Sequence, residues 1–304
     1  MTARVLVRIA VLLALPAAGC VAAPADVAVQ SPDGAGVVQA RSAGAEPKAG
    51  LTLPLDAYAL TAAEGRVLGS AAEARVRECA AGLGLDDAAI EPLPFAADVA
   101  AVAARHDRRY AVADPEVAAE HGYHPPPSTD VRREFHEAHT DAELEVLVGV
   151  TSDGAATTRD DIPEGGCLGA ASQAASVASE SSLRAGQDLV SAVQADAWHA
   201  ALADPRVLDA FAAWSACMAG AGYHYAAPMD ANDDPRWWTS DAAGADELAT
   251  AVADVACKSS TGLIPVWSAV EAGYQSQFIA ASQAELDAYR ALLDQQVSAA
   301  STAR

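Results

Sequence analysis

The chain has 304 residues, 52% of them hydrophobic but only 5% aromatic, and a formal net charge of −22. That length holds one sizeable core or two small ones. So large a negative charge repels nucleic acid and anionic lipid headgroups, which excludes nucleic-acid partners and leaves cationic partners, metal ions or plain solubility.

The N-terminus reads MTARVLVRIAVLLALPAAGC. Arg4 and Arg8 form a positive start, Val5 to Leu15 is an apolar run too short to cross a bilayer, and small residues follow. This predicts a secretory signal over residues 1–19. Ala17-Ala18-Gly19-Cys20 resembles a bacterial lipobox, whose cysteine becomes the lipidated first residue of the mature chain. Ordinary cleavage after Ala25 is the competing reading. The cysteine count favours lipidation: with Cys20 set aside, four of the five cysteines remain, an even number suited to disulfides in an exported chain. Residues 20–50 are rich in Ala, Pro, Gly and Ser and are expected to form a disordered tether with an average span of about 30 Å. The diacylglyceryl group of such lipoproteins carries two chains, enough to anchor the domain stably to the membrane.

Residues 51–304 are predicted to be an all-α domain, a bundle of helical hairpins divisible into two lobes, 51–170 and 171–304. Thr61 and Glu64 form a capping box. The helix they open buries Val67, Leu68, Ala71, Val76, Cys79 and Leu83, and Gly82 and Gly84 stop it. Glu145 to Val150 reads equally as a short strand or a helix end. A second pattern runs from Gln173 to Ala203 through Leu183, Leu189, Val193, Ala197 and Ala201. Asp204-Pro205 restarts a helix, with the Asp as N-cap and the Pro at its first position. Its stripe is Val207, Leu208, Phe211, Trp214 and Met218, and Gly220 and Gly222 close it. Asp246 to Ser259 is a further helix that ends at Gly262. From Pro265 a long C-terminal helix is expected, with a near-heptad stripe from Val266 to Val297, about 45 Å in length.

Two stretches look alike, RVRECAAGLGL and AWSACMAGAGY. Each places a cysteine in the last turn of a helix before a Gly-x-Gly stop, and each is followed by a second cysteine near another helix. Nucleophilic use of Cys217 needs a base held nearby, and His224 lies past the helix end with no acid to orient it. Zinc binding by the four cysteines lacks any C-x-x-C spacing. Oxidised pairs, Cys79 with Cys167 and Cys217 with Cys257, need only an oxidising compartment and adjacent helices, and two disulfides of this kind are expected.

Five of the seven histidines fall between His106 and His139. His121 and His124, with His136 and His139 at i, i+3 beside Glu134 and Glu137, offer imidazoles and carboxylates for a divalent metal such as Zn or Cu. The spacing is not H-E-x-x-H, and a solvated loop is the alternative. Asp230, Asn232, Asp234 and Asp241 fall at positions similar to those of a calcium loop, but Pro235 and Arg236 argue against one. Trp237 and Trp238, outside any helical stripe, suit stacking on a sugar or clamping a partner, unless one folds back onto the core. No nucleophile elbow, S-x-x-K, Walker loop or dinucleotide fingerprint occurs.

Cys217, Gly222, Tyr223, Asp254, Cys257, Thr261, Gly262, Leu263, Trp267, Glu271 and Tyr274 stand in a pattern that resembles a group of secreted actinobacterial lipoproteins of unknown function. The resemblance implies a lipobox, helices and paired cysteines, and no reaction. Asp254 and Glu271 flank the Gly262 turn. Buried, with Lys258 as partner to either, they would lock the hairpin; around an open groove they would form a ligand site with His224, Trp237 and Trp238. The function expected is a non-enzymatic, membrane-anchored lipoprotein that needs no cofactor and binds an envelope protein or cell-wall glycan, or that serves an envelope transport system. A metal- or small-ligand-binding lipoprotein using residues 106–139 is the alternative.

Overall fold

The computed structural model describes residues 51–93, 95, 104–127, 131–175 and 179–302. The predicted signal, Cys20 and the tether fall outside them. The described residues form eleven α-helices: α1 (Ala62–Gly82), α2 (Pro115–His121), α3 (Val131–Ala138), α4 (Asp141–Val148), α5 (Gly166–Ala175), α6 (Glu180–Ala203), α7 (Pro205–Gly220), α8 (Pro228–Asn232), α9 (Ala245–Thr261), α10 (Leu263–Ala281) and α11 (Gln283–Thr302). No strand forms among them: Glu145–Val148 end α4, Gly149 caps it, and Val150 beyond it makes an isolated bridge to Ala156. No described helix is long and apolar enough to cross a membrane.

Five of the described α-helices carry a side-chain cap at their start, from Thr61, Asp114, Thr140, Ser179 and Asp204. The Thr61 hydroxyl accepts from the Glu64 amide while the Glu64 carboxylate takes the Thr61 amide at 2.7 Å. Asp204 accepts from the Arg206 amide at the head of α7. Gly262 (φ 66°) adopts the left-handed conformation that lets α9 end and α10 begin one residue later, a geometry that favours glycine.

Two expected helices are each divided. The pattern from Gln173 to Ala203 is α5 followed by α6, which begins afresh where the Ser179 hydroxyl caps the Ser182 amide. The stripe from Pro265 to Val297 is α10 and α11, broken at Ser282 (φ −121°, ψ 25°), so the C-terminal helix is 20 residues long. The stripe continues because both helices stay amphipathic, but their neighbours change. Helix α10 packs on α6 and α7, whereas α11 packs on α1 and α6.

Three apolar clusters result. The largest gathers Trp214, Met218, Tyr123, Leu263 and Trp267, all essentially inaccessible, from α7, α9, α10 and the segment 110–123. Within it the Trp267 ring lies 4.9 Å from Tyr110, 4.8 Å from Trp198 and 4.8 Å from Phe211. A second cluster joins α1, α4 and α5 through Val76, Ile90, Leu147 and Cys167. A third seats Leu55 and Tyr58 against Val193, Ile279 and Leu286. The first and third clusters cross residue 170, drawing residues 51–58 and 110–123 into contact with the C-terminal helices.

Both expected disulfides are present. Cys79 in the last turn of α1 is bonded to Cys167 in the first turn of α5, and Cys217 in the last turn of α7 to Cys257 in the last turn of α9. The likeness between the two halves goes no further than this, because the second cysteines occupy opposite ends of their helices.

Candidate functional site

The segment from Ala104 to Asp114 has no helix of its own, yet it organises the polar interior. Tyr110, Ala111 and Val112 are buried, so the chain must satisfy its backbone and charges against α9 and α10. Arg109 donates through its guanidinium to both oxygens of Glu271, including 2.9 Å from Nε to Oε1, and lies over the Trp198 ring. Tyr110 donates its hydroxyl to Glu271 at 2.7 Å, and Gln275 donates to the same carboxylate at 2.8 Å. Burial opposes the Arg109 charge, but the hydrogen bonds and charge of Glu271 more than restore it.

Asp254 and Lys258 form the second buried pair. The Lys258 ammonium donates to Asp254 at 2.9 Å and to the Val112 carbonyl at 2.8 Å, and the Trp214 indole donates to the other Asp254 oxygen at 2.9 Å. Burial pushes the carboxyl up and the ammonium down, each against its own charge, and the partner pulls it back. Asp254 and Glu271 are therefore wholly buried locks rather than groove residues, and Glu271 takes Arg109, not Lys258, as its cation.

Outside these locks the strap leaves an open groove of about 1860 Å³ between itself, α6, α9 and the start of α10. Val252, Val255, Ile264 and Pro265 give it an apolar wall, Ser191, Gln194 and Ser268 give it neutral polar groups, Arg105, His106 and Arg108 face it from the strap formed by residues 104–114, and Asp56, Asp107 and Asp114 also line it. His106 bonds through Nε2 to Asp56 at 2.8 Å, which has the outline of a catalytic acid–base pair. Its Nδ1 is shut away from solvent and has no partner among the described residues, so the pair offers no accessible base there and serves to pin the strap to residues 53–58.

The histidines and tryptophans expected to act together are dispersed. Among the described residues no group of three or more His, Cys, Asp or Glu side chains could hold a metal ion. His136 is exposed, whereas His139, one turn on, is buried with Nδ1 at 2.6 Å from the Phe135 carbonyl. His121 lies on α2 beside Glu120. His124 has Nδ1 at 2.8 Å from Glu247 and Nε2 at 2.9 Å from the Ser240 carbonyl. A carboxylate and a carbonyl are acceptors, so the arrangement favours the imidazolium form, in which both ring nitrogens donate. The Glu247 hydrogen bond raises its pKa accordingly.

Trp238, 48% exposed, lies 4.8 Å from that ring. Trp237 instead turns inward, donating to the Ala231 carbonyl at 2.8 Å under the Arg236 guanidinium, and takes no part in a surface site. His224 is exposed in the loop after α7. Asp234 and Asp230 are occupied by Arg236 and the Ala227 amide, which fits the argument against a calcium loop.

The chain matches no family model, no curated protein and no solved structure. The groove therefore stands on its geometry alone.

Proposed function

We propose that the protein is a non-enzymatic lipoprotein, anchored through Cys20 at the outer face of the membrane, whose helical domain binds an envelope partner, protein or cell-wall glycan, in the groove beneath residues 104–115. The observation that carries this reading is the groove itself. Its walls are held by the Cys217–Cys257 disulfide and two buried ion pairs, and its facing groups are apolar, amide, hydroxyl and cationic, with the carboxylates of Asp56, Asp107 and Asp114 among them, a mixed set suited to holding a ligand. The disulfides agree with an oxidising, extracytoplasmic setting. The lipobox-like Ala17-Ala18-Gly19-Cys20 and the resemblance to secreted actinobacterial lipoproteins supply the anchor.

The test has two arms. In the native cell a clickable fatty acid labels the wild-type chain and fails to label Cys20→Ala. A photo-reactive residue at Ser191 or Ser268, inside the groove, cross-links to an envelope component, while one at the exposed Glu137 on α3 does not. Equal cross-linking from all three positions removes the groove as the binding site, and labelling that survives Cys20→Ala removes the anchor.

A further inference from the structure

Three of the chain's 19 basic residues fall within Arg105–Arg109, an unusual density in a chain of charge −22. Each faces the groove, but they are not equivalent. Arg105 is answered by Asp56 and the Leu60 carbonyl, and Arg109 by Glu271. Among the described residues Arg108 pairs with no carboxylate: of the three acids that line the groove, Asp56 is taken by Arg105 and His106, Asp114 caps the helix that starts at Pro115, and Asp107 forms no ion pair with it. Among the described residues its guanidinium donates to the main-chain carbonyls of Tyr123 and His124, which fix its plane without neutralising it. It is partly buried, so burial weakens its hold on the proton, and it is near enough to Lys258 to oppose that charge too.

A desolvated cation held flat by neutral acceptors still has donor capacity left, because a guanidinium carries five N–H groups. The lining of the groove also includes a helix start. Helix α10 runs for 19 residues, and its N-cap is Gly262, which has no side chain to satisfy the first amides. That end also lines the groove, and the helix dipole favours negative charge there. Val252, Val255 and Ile264 supply the apolar part of the same lining.

Resting on the reading of this groove as the binding site, we infer that what it binds carries an anionic group, a phosphate or a carboxylate, which Arg108 takes as a planar fork while the rest of the ligand lies along the apolar wall. The charge of the whole protein repels such a ligand at a distance. Selection therefore depends on the local pairing, and binding is sensitive to the shape of the anion as well as its charge.

Isothermal titration of the full-length, oxidised chain with inorganic phosphate and with acetate, against sodium chloride at matched ionic strength, tests this. We expect a saturable signal from at least one of the two anions and none from chloride. Phosphate alone marks a phosphoryl ligand, and acetate alone a carboxylate. Arg108→Gln weakens that binding by about tenfold or more, and Arg108→Lys falls between, because it keeps the charge and loses the fork.

Arginine-specific labelling with phenylglyoxal makes the test independent of how the variants fold: the binding anion slows modification of Arg108 in the wild-type chain. Absence of a saturable signal from either anion, unchanged affinity in Arg108→Gln, or unprotected labelling at Arg108 overturns the inference. Groove cross-linking that persists with any of these results leaves the binding reading standing and removes only its anionic character. Loss of the cross-linking removes the reading itself.

Discussion

Lys258 sits 2% exposed with one counter-charge, Asp254, that is wholly buried. Removing the ammonium strands a carboxylate in a dry interior, so Lys258→Met is expected to cost about 3–5 kcal/mol in urea unfolding. The double replacement Lys258→Met with Asp254→Asn should cost less than the single one, because no buried charge is left over. A second expectation at this scale concerns His124. Glu247 raises its folded pKa above the unfolded value. The stability it contributes is therefore complete below about pH 6.5 and is lost as the pH rises through the folded pKa. Titration of its ring protons by NMR should place the midpoint above 6.5, and Glu247→Gln should bring it down. Neither partner of His124 was legible in the sequence, since Glu247 lies 123 residues away and Ser240 contributes only a carbonyl. Lys258 was legible as a partner to Asp254 or Glu271, but not to which of them; the four-residue spacing on one helix is the signal that favours Asp254.

Helices were the most legible part of the molecule, and the reasons are local. Thr61–Glu64, Asp204-Pro205 and Gly262 act on their own backbone, so their meaning does not depend on the rest of the fold. The two mistaken continuities, at Ser179 and at Ser282, fall where a helix restarts against new neighbours. Packing at this scale carries its own test. A methyl added at Gly186 of α6 would lie 2.0 Å from the Tyr289 ring of α11, too close for any small adjustment. Gly186→Ala is expected to lower stability by about 1–3 kcal/mol, and Tyr289→Leu to recover part of that in the double variant, as read from thermal melts. The disulfides make a sharper prediction. Their sequence separations of 88 and 40 residues give roughly 4.5 and 4 kcal/mol in the chain-entropy account. Serine at Cys79 and Cys167 should therefore speed amide exchange in α4 and α5, which have the smaller core, and leave α7, α9 and α10 protected.

At the scale of the whole molecule the charge of −22 works against compactness. Raising the ionic strength from about 0.01 M to 0.15 M shortens the screening length from about 30 Å to 8 Å. The melting temperature should rise over that range; a fall would show that the ion pairs outweigh the general repulsion. The groove exists only at this scale, which is why the sequence did not reveal it. RHDRR has no period and reads as a solvated loop until residues 110–123 are seen against α9 and α10.

Leu55, Tyr58 and Ala59 also find their partners late. They bond to Gln275, Asp287 and Arg290, at separations of 220, 229 and 231 residues. A chain threaded N-terminus first through a membrane pore would hold these early residues without their partners until nearly all of it had crossed. The domain would then stay slack during passage and lock only on arrival, with its sulfurs still apart until the far side.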